Sequence, residues 1–113
     1  MVWDAPALEV LSAVRAQGSN VPIATIDLGQ QLAANIAQGA NIVGVGAQRL
    51  SDQAKAEAHA MMLALIGEKT PSYIAAPALA VSKANLLASY ETVFDAKSSA
   101  DLVTACQKLD GCS

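Results

Sequence analysis

Asp27 closes a short apolar run, Val21 to Gly29 (VPIATIDLG), and is the side chain best placed for ligand chemistry. Val21, Ile23, Thr25 and Ile26 suit a pleated strand, and the run is too short and too β-branched for a helix. Open α/β sheets bind ligands at the carboxyl ends of their parallel strands, where such a carboxylate can accept hydrogen bonds. Asp27 could equally cap the helix that follows, and spacing does not separate the two roles. Asp4 and Asp52 also stand at element ends, where capping explains them. His59, the one histidine, lies a step off the apolar face of its segment and reads as a boundary or surface residue. The Met61–Met62 pair reads as core filling. No nucleophile has a base beside it, and no carboxylates are paired for acid–base work, so the chain is not expected to be an enzyme.

The two cysteines, Cys106 and Cys112, are six apart near the end of the sequence. With a single histidine they offer too few ligands for a zinc site, and neither a metal nor a cofactor is expected. A local disulfide is the preferred reading and points to an oxidising compartment. Two free thiols are the alternative.

Composition narrows the class. The chain has 113 residues, 53% of them hydrophobic with alanine the commonest, and only one Trp, one Phe and two Tyr. That favours close helix packing on a sheet within one modest domain. The net charge of −3 comes without any Lys/Arg cluster, which argues against nucleic acid as a partner. No segment approaches the ~18 apolar residues of a membrane span, so membrane insertion is not expected. The opening residues MVWDAP lack the basic and apolar regions of a secretion signal. Either a signal has been removed or the chain starts inside a longer protein.

These residues need elements to position them. Asp4 is expected to cap a helix with Pro6 in its first turn, Leu8, Leu11 and Val14 on its apolar stripe, and Gly18 ending it. After the strand at Val21, a helix is expected from Gln30 to Gln38, burying Leu32, Ala33, Ile36 and Ala37 and stopping at Gly39. Asn41 to Ala47 reads as a second buried strand, whose Gly44 and Gly46 suggest close approach by a backbone or a ligand. GVGAQR is neither a dinucleotide fingerprint nor a P-loop. Ser51 is the expected cap of the longest helix, with Asp52 near its positive end and Ala54, Ala58, Met61, Met62 and Leu65 as a continuous apolar face. Ser72 to Val81 reads as a strand interrupted by Pro77 and therefore at an edge or bulge. Ser82 is expected to cap a helix through Leu86, Leu87 and Tyr90, and Ser99 a last one carrying Leu102, Val103 and Leu109. This alternation predicts an α/β fold, a parallel sheet flanked by helices.

Several motifs in this order resemble the C-terminal part of type I periplasmic sugar-binding proteins, the ribose-binding-protein-like receptors of ABC transporters. Trp3-Asp4-Ala5-Pro6-Ala7-Leu8 stands where the family has Asn-Asp-x-x-Ala-Leu, and Gly18 with Val21-Pro22 through Asp27 matches its turn and strand signal. Gln48-Arg49-Leu50-Ser51-Asp52-Gln53-Ala54 stands for Gln-x-Pro-x-x-Gln-Gly, Gly67-Glu68-Lys69 for a Gly-Glu-Lys connector, and Leu79 to Asn85 for the terminal strand and Lys-x-Asn segment. The resemblance covers about Val2 to Tyr90.

The resemblance implies a partial periplasmic-binding-protein-like lobe. About 2–50 would form the end of the second lobe, 51–70 a crossing helix packed on the first lobe, and 71–113 the terminal strand and helices. Asp27 and Gln48 would hydrogen-bond a sugar or polyol in the interlobe cleft. Trp3 replaces the family's Asn and could stack on a sugar ring, plug the cleft or sit in a packed interior. Leu50 and Ala54 replace a Pro and a Gly, which alters the hinge. The implied partners are the ligand, an ABC permease reached through the complete receptor, and a missing first lobe or partner chain. The implied location is periplasmic or extracellular. The chain would be a C-terminal fragment, a processed product or one piece of a split protein. The first alternative, the effector-binding core of a LacI-type transcription repressor, shares the pattern; the second is a small independent α/β enzyme or adaptor.

Overall fold

Helix periodicity and glycine stops shape the first half of the chain. In the computed structural model, which describes residues 2–113, helix α1 (Asp4–Ala16) buries Ala7 and Leu11, with Leu8 and Val14 packed at the margin of the core. Gly18 takes a left-handed φ of +64°, and Ser19 N–H reaches back to the Val14 carbonyl at 3.0 Å, closing the helix as expected. Strand β1 (Ile23–Ile26) follows, then helix α2 (Gln30–Ala37), which buries the four expected residues Leu32, Ala33, Ile36 and Ala37. Strand β2 (Ile42–Gln48) leads into helix α3 (Leu50–Leu65), and strand β3 (Ala78–Val81) returns. A 3-10 turn (Lys83–Asn85), α4 (Leu86–Phe94) and α5 (Ala100–Gln107) complete the fold. Ser82 accepts from Ala84 N–H and Ser99 from Leu102 N–H, so both serines cap, Ser82 on the 3-10 turn rather than on the helix itself.

The sheet is mixed, which corrects the parallel one expected. Its order is β1-β2-β3, with β1 and β2 parallel and β3 antiparallel to β2. A parallel third strand would need α3 to cross back over the sheet. Instead α3 leaves the end of β2 and the segment 66–77 returns along it, with Ile74, Ala76 and Pro77 beside Gln53, Ala56 and Glu57. The chain re-enters the sheet where it left, so β3 runs antiparallel. Pro77 precedes β3 and shortens the expected strand to four residues on the sheet edge.

Helices cover only one face of the sheet, where the sequence implied both. Ile23, Thr25, Val45, Ala47 and Val81 point into the core with α1, α2, α4 and α5. The register leaves Val43 unpaired as a bulge, which lets Ile42 and Val45 both be buried. On the opposite face Ala24 lies beside Gly44, and Ile26, Gly46 and Ala80 form one row, with Gln48 and Ala78 beyond. Apart from half-buried Gly44, these residues are exposed. A Cβ on Gly44 or Gly46 would make only ordinary contacts, to Val81 O at 4.0 Å and Ile26 Cγ2 at 3.6 Å. The protein itself does not make the close approach that the glycines suggested.

The apolar face of α3 is likewise not buried. Every residue of this helix is exposed or half-buried, and Met61, Met62, Leu65 and Ile66 stand in solvent. Its root packs near the end of α4, and the rest projects as an arm. The molecule accordingly measures 57 × 28 × 16 Å, with a radius of gyration of 16.8 Å against about 13 Å for a compact chain of this length. Helical periodicity identifies an apolar face but not whether the same chain covers it.

The C-terminal disulfide does form, between Cys106 and Cys112. Its loop is pinned to the base of α4: Ser113 N–H donates to Lys83 O at 3.0 Å, and Leu87 N–H donates to Ser113 O at 3.0 Å. Among the described residues no helix is long and apolar enough to cross a membrane.

Candidate functional site

Three helix N-termini and two strand ends meet around one cleft. It is lined by Asp4 in the first turn of α1, Gly29 at the N-cap of α2 and Leu50 opening α3. Asp27 follows β1, Gln48 ends β2, and Leu28, Val93 and Phe94 supply the apolar wall. The cleft holds about 290 Å³, near the lower bound of ~300 Å³ for small-ligand pockets. It lies outside the carboxyl ends of the parallel pair, the usual ligand position in such sheets.

Asp27 has an unusual backbone and an unmet side chain. Its φ is +65°, a left-handed conformation that aspartate tolerates better than most residues. Its N–H donates to Gly46 O at 3.0 Å, which ties the turn to β2. Oδ1 is buried and has no hydrogen-bond partner. The capping alternative is not what the structure shows: the N-cap of α2 is Gly29, with no side-chain cap. A buried carboxylate oxygen without a donor is uncommon and calls for an explanation.

Gln48, at the exposed end of β2, lines this cleft and also the adjoining groove beside Gln53, Glu57 and Ile74. Its amide can both donate and accept. The structure therefore brings Asp27 and Gln48 to one cleft. Trp3 does not join them in its lining: it is the N-cap of α1 and 56% exposed, neither buried in a packed interior nor plugging the cleft.

The residue that sequence reasoning missed is Asp4. It was expected to cap α1, but Trp3 occupies that position and no side-chain cap bond forms. The Asp4 carboxylate instead lies against Gly29, so closely that a Cβ at position 29 would overlap it. The signal was present as a glycine at an N-cap, but its meaning depended on a helix 25 residues away in the sequence. Ser51 also loses its expected capping role, because α3 begins at Leu50 with Arg49 as N-cap. Arg49 pairs with Asp52 at 2.7 Å, while its Nε is buried without a partner. His59 is exposed on the arm.

The assembled groups can accept hydrogen bonds through two carboxylates, and donate or accept through one amide, beside an apolar wall. Positive helix ends favour negative charge here, which the carboxylates supply themselves. Comparison with protein-family models, curated proteins and solved structures found no match for this chain.

Proposed function

We propose that this chain is part of a non-enzymatic solute receptor that binds a sugar or polyol in a cleft whose second wall comes from another lobe or chain. The observation carrying this reading is the meeting of Asp27, Asp4 and Gln48 in one cleft outside the carboxyl ends of the parallel pair. A polyol offers several hydroxyl donors at neutral charge. Such donors would satisfy Asp27 and Asp4, and the Gln48 amide would bridge a neighbouring hydroxyl. Val93 and Phe94 suit the apolar face of a sugar ring.

In this reading Trp3 serves from the rim: its exposed ring is free to stack on a ligand that extends beyond the cleft. By the likeness to ABC-transport receptors, a first lobe would supply the second wall of the site. Delivery to a permease in a periplasmic or extracellular setting follows from the same likeness. The Cys106–Cys112 disulfide favours an oxidising compartment and hence a transport receptor over an intracellular LacI-type repressor core.

Calorimetry against a panel of neutral sugars, using the protein with its first lobe present, tests the reading. One sugar should give saturable heat, and Asp27→Ala should weaken its affinity at least hundredfold. Equal affinity in the variant would reduce Asp27 to a turn residue and overturn the proposal.

A further inference from the structure

The open sheet face and the projecting arm are two incomplete halves of one kind of contact. All-parallel sheets occur almost only with both faces covered; in this mixed sheet the parallel pair of β1 and β2 has helices on one face alone. The exposed face carries a floor of small residues, Ala24, Gly44, Gly46 and Ala80, with Ile26 standing at one side. Glycine in a strand often marks a bulge or a close approach; Gly44 follows the Val43 bulge, whereas Gly46 has neither a bulge nor a backbone near it. The same chain carries a helix with no sheet to pack on. The arm's outer half, Ala60 to Ile66, has no charged residue and exposes Met61, Met62, Leu65 and Ile66.

The arm cannot serve its own sheet. Only Arg49 separates β2 from α3, too short a connection to turn the helix back over the exposed face. A second copy can provide that cover. The area is sufficient: a compact monomer of this mass would expose about 5,800 Å², whereas this chain exposes 7192 Å². The excess of about 1,400 Å² per chain, shared by the sheet face, the arm and the mostly exposed segment 66–77, exceeds the ~800 Å² that each partner buries in a typical stable complex.

We infer that two copies of this chain associate about a two-fold axis, each laying the outer half of α3 across the partner's exposed sheet face. Each floor receives the bulky arm residues of the other copy, and the two contacts are identical, as a closed two-fold dimer requires. Gly44 and Gly46 keep the floor low enough for the incoming helix. The sheet-face argument stands without any ligand.

Sedimentation velocity on the intact chain, without sugar, tests the association. The expected mass is twice the 11.5 kDa of one chain at 10 µM. Leu65→Asp on the arm and Gly46→Val on the floor should each weaken dimerisation at least hundredfold. Unchanged far-UV circular dichroism will show that both variants fold, since both sites are exposed and valine suits a strand. A photo-crosslinker at position 65 should join isotopically distinct copies through peptides containing Ala24–Ile26 or Gly44–Gly46. A chain monomeric at 100 µM, a dimer indifferent to both substitutions, or crosslinks running arm to arm would each overturn the inference. Dimerisation without sugar heat would defeat only the polyol reading, and sugar heat from a protein in which this chain stays monomeric would defeat only the dimer.

Discussion

The Asp4 carboxylate, from the first turn of α1, rests against the α-carbon of Gly29, the N-cap of α2. This contact fixes the angle between the two helix starts and places a carboxylate at the cleft. It also makes the effect of a side chain at position 29 depend on position 4. Serine is ordinarily as good an N-cap as glycine or better. Gly29→Ser should nevertheless cost about 1 kcal/mol here, because it displaces Asp4. In an Asp4→Ala background the same change should stabilise by about 0.3 kcal/mol. Urea unfolding of the four proteins in this cycle measures the coupling, and equal effects in both backgrounds would remove the contact from the account.

Asp27 combines a left-handed φ with an unpartnered buried oxygen, and both features cost stability in the empty protein. Asp27→Gly should therefore stabilise by about 1 kcal/mol, seen as a rise in Tm of about 4 °C. Sugar affinity should fall in the same variant, since glycine retains the turn but not the carboxylate. A lower Tm would show that Asp27 has a structural partner.

The disulfide loop is short, so its stabilisation should be moderate. Loop-closure entropy for a separation of six residues gives about 2 kcal/mol. Reduction should lower the unfolding free energy of the native chain by that amount, read as a fall in its urea midpoint at unchanged slope. The Cys106→Ala/Cys112→Ala variant should start from the lower midpoint and be indifferent to reductant. Sensitivity to reductant in that variant would place the effect elsewhere.

Thr25, only 1% exposed, donates its hydroxyl to the Val2 carbonyl, which also accepts from Ile26 N–H at 3.1 Å. Val2 thereby covers part of the outer edge of β1. Thr25→Val keeps the shape and leaves that carbonyl its backbone donor, so the loss should be about 1 kcal/mol. Thr25→Ala should cost more, because it also removes packed volume. Equal costs would mean that the hydroxyl contributes nothing.

Local chemistry made much of the fold legible. The buried face of α2, the glycine stops at Gly18 and Gly39, the caps at Ser82 and Ser99, and the strands ending at Asp27 and near Gln48 depend on neighbours a few residues away. The same local rules could pair Cys106 with Cys112 across six residues. They placed Asp27 at a strand end, while Gln48 entered only through the resemblance; that their strands are neighbours, and so meet at one cleft, is a tertiary fact.

What only the tertiary structure decided were relations between distant elements. Whether β3 ran parallel depended on whether α3 crossed the sheet or left it. Periodicity marked Met61, Met62 and Leu65 as an apolar face, but a face records only a preference for cover, and the cover is not in this chain's own fold. Trp3 and Asp4 are sequence neighbours, yet only Asp4 lines the cleft. A one-residue step along a helix rotates a side chain by about 100°, and which side faces the site depends on how α1 docks beside α2. Sequence thus specified the elements and the groups at their ends, while packing selected which groups meet and left one sheet face and one helix open.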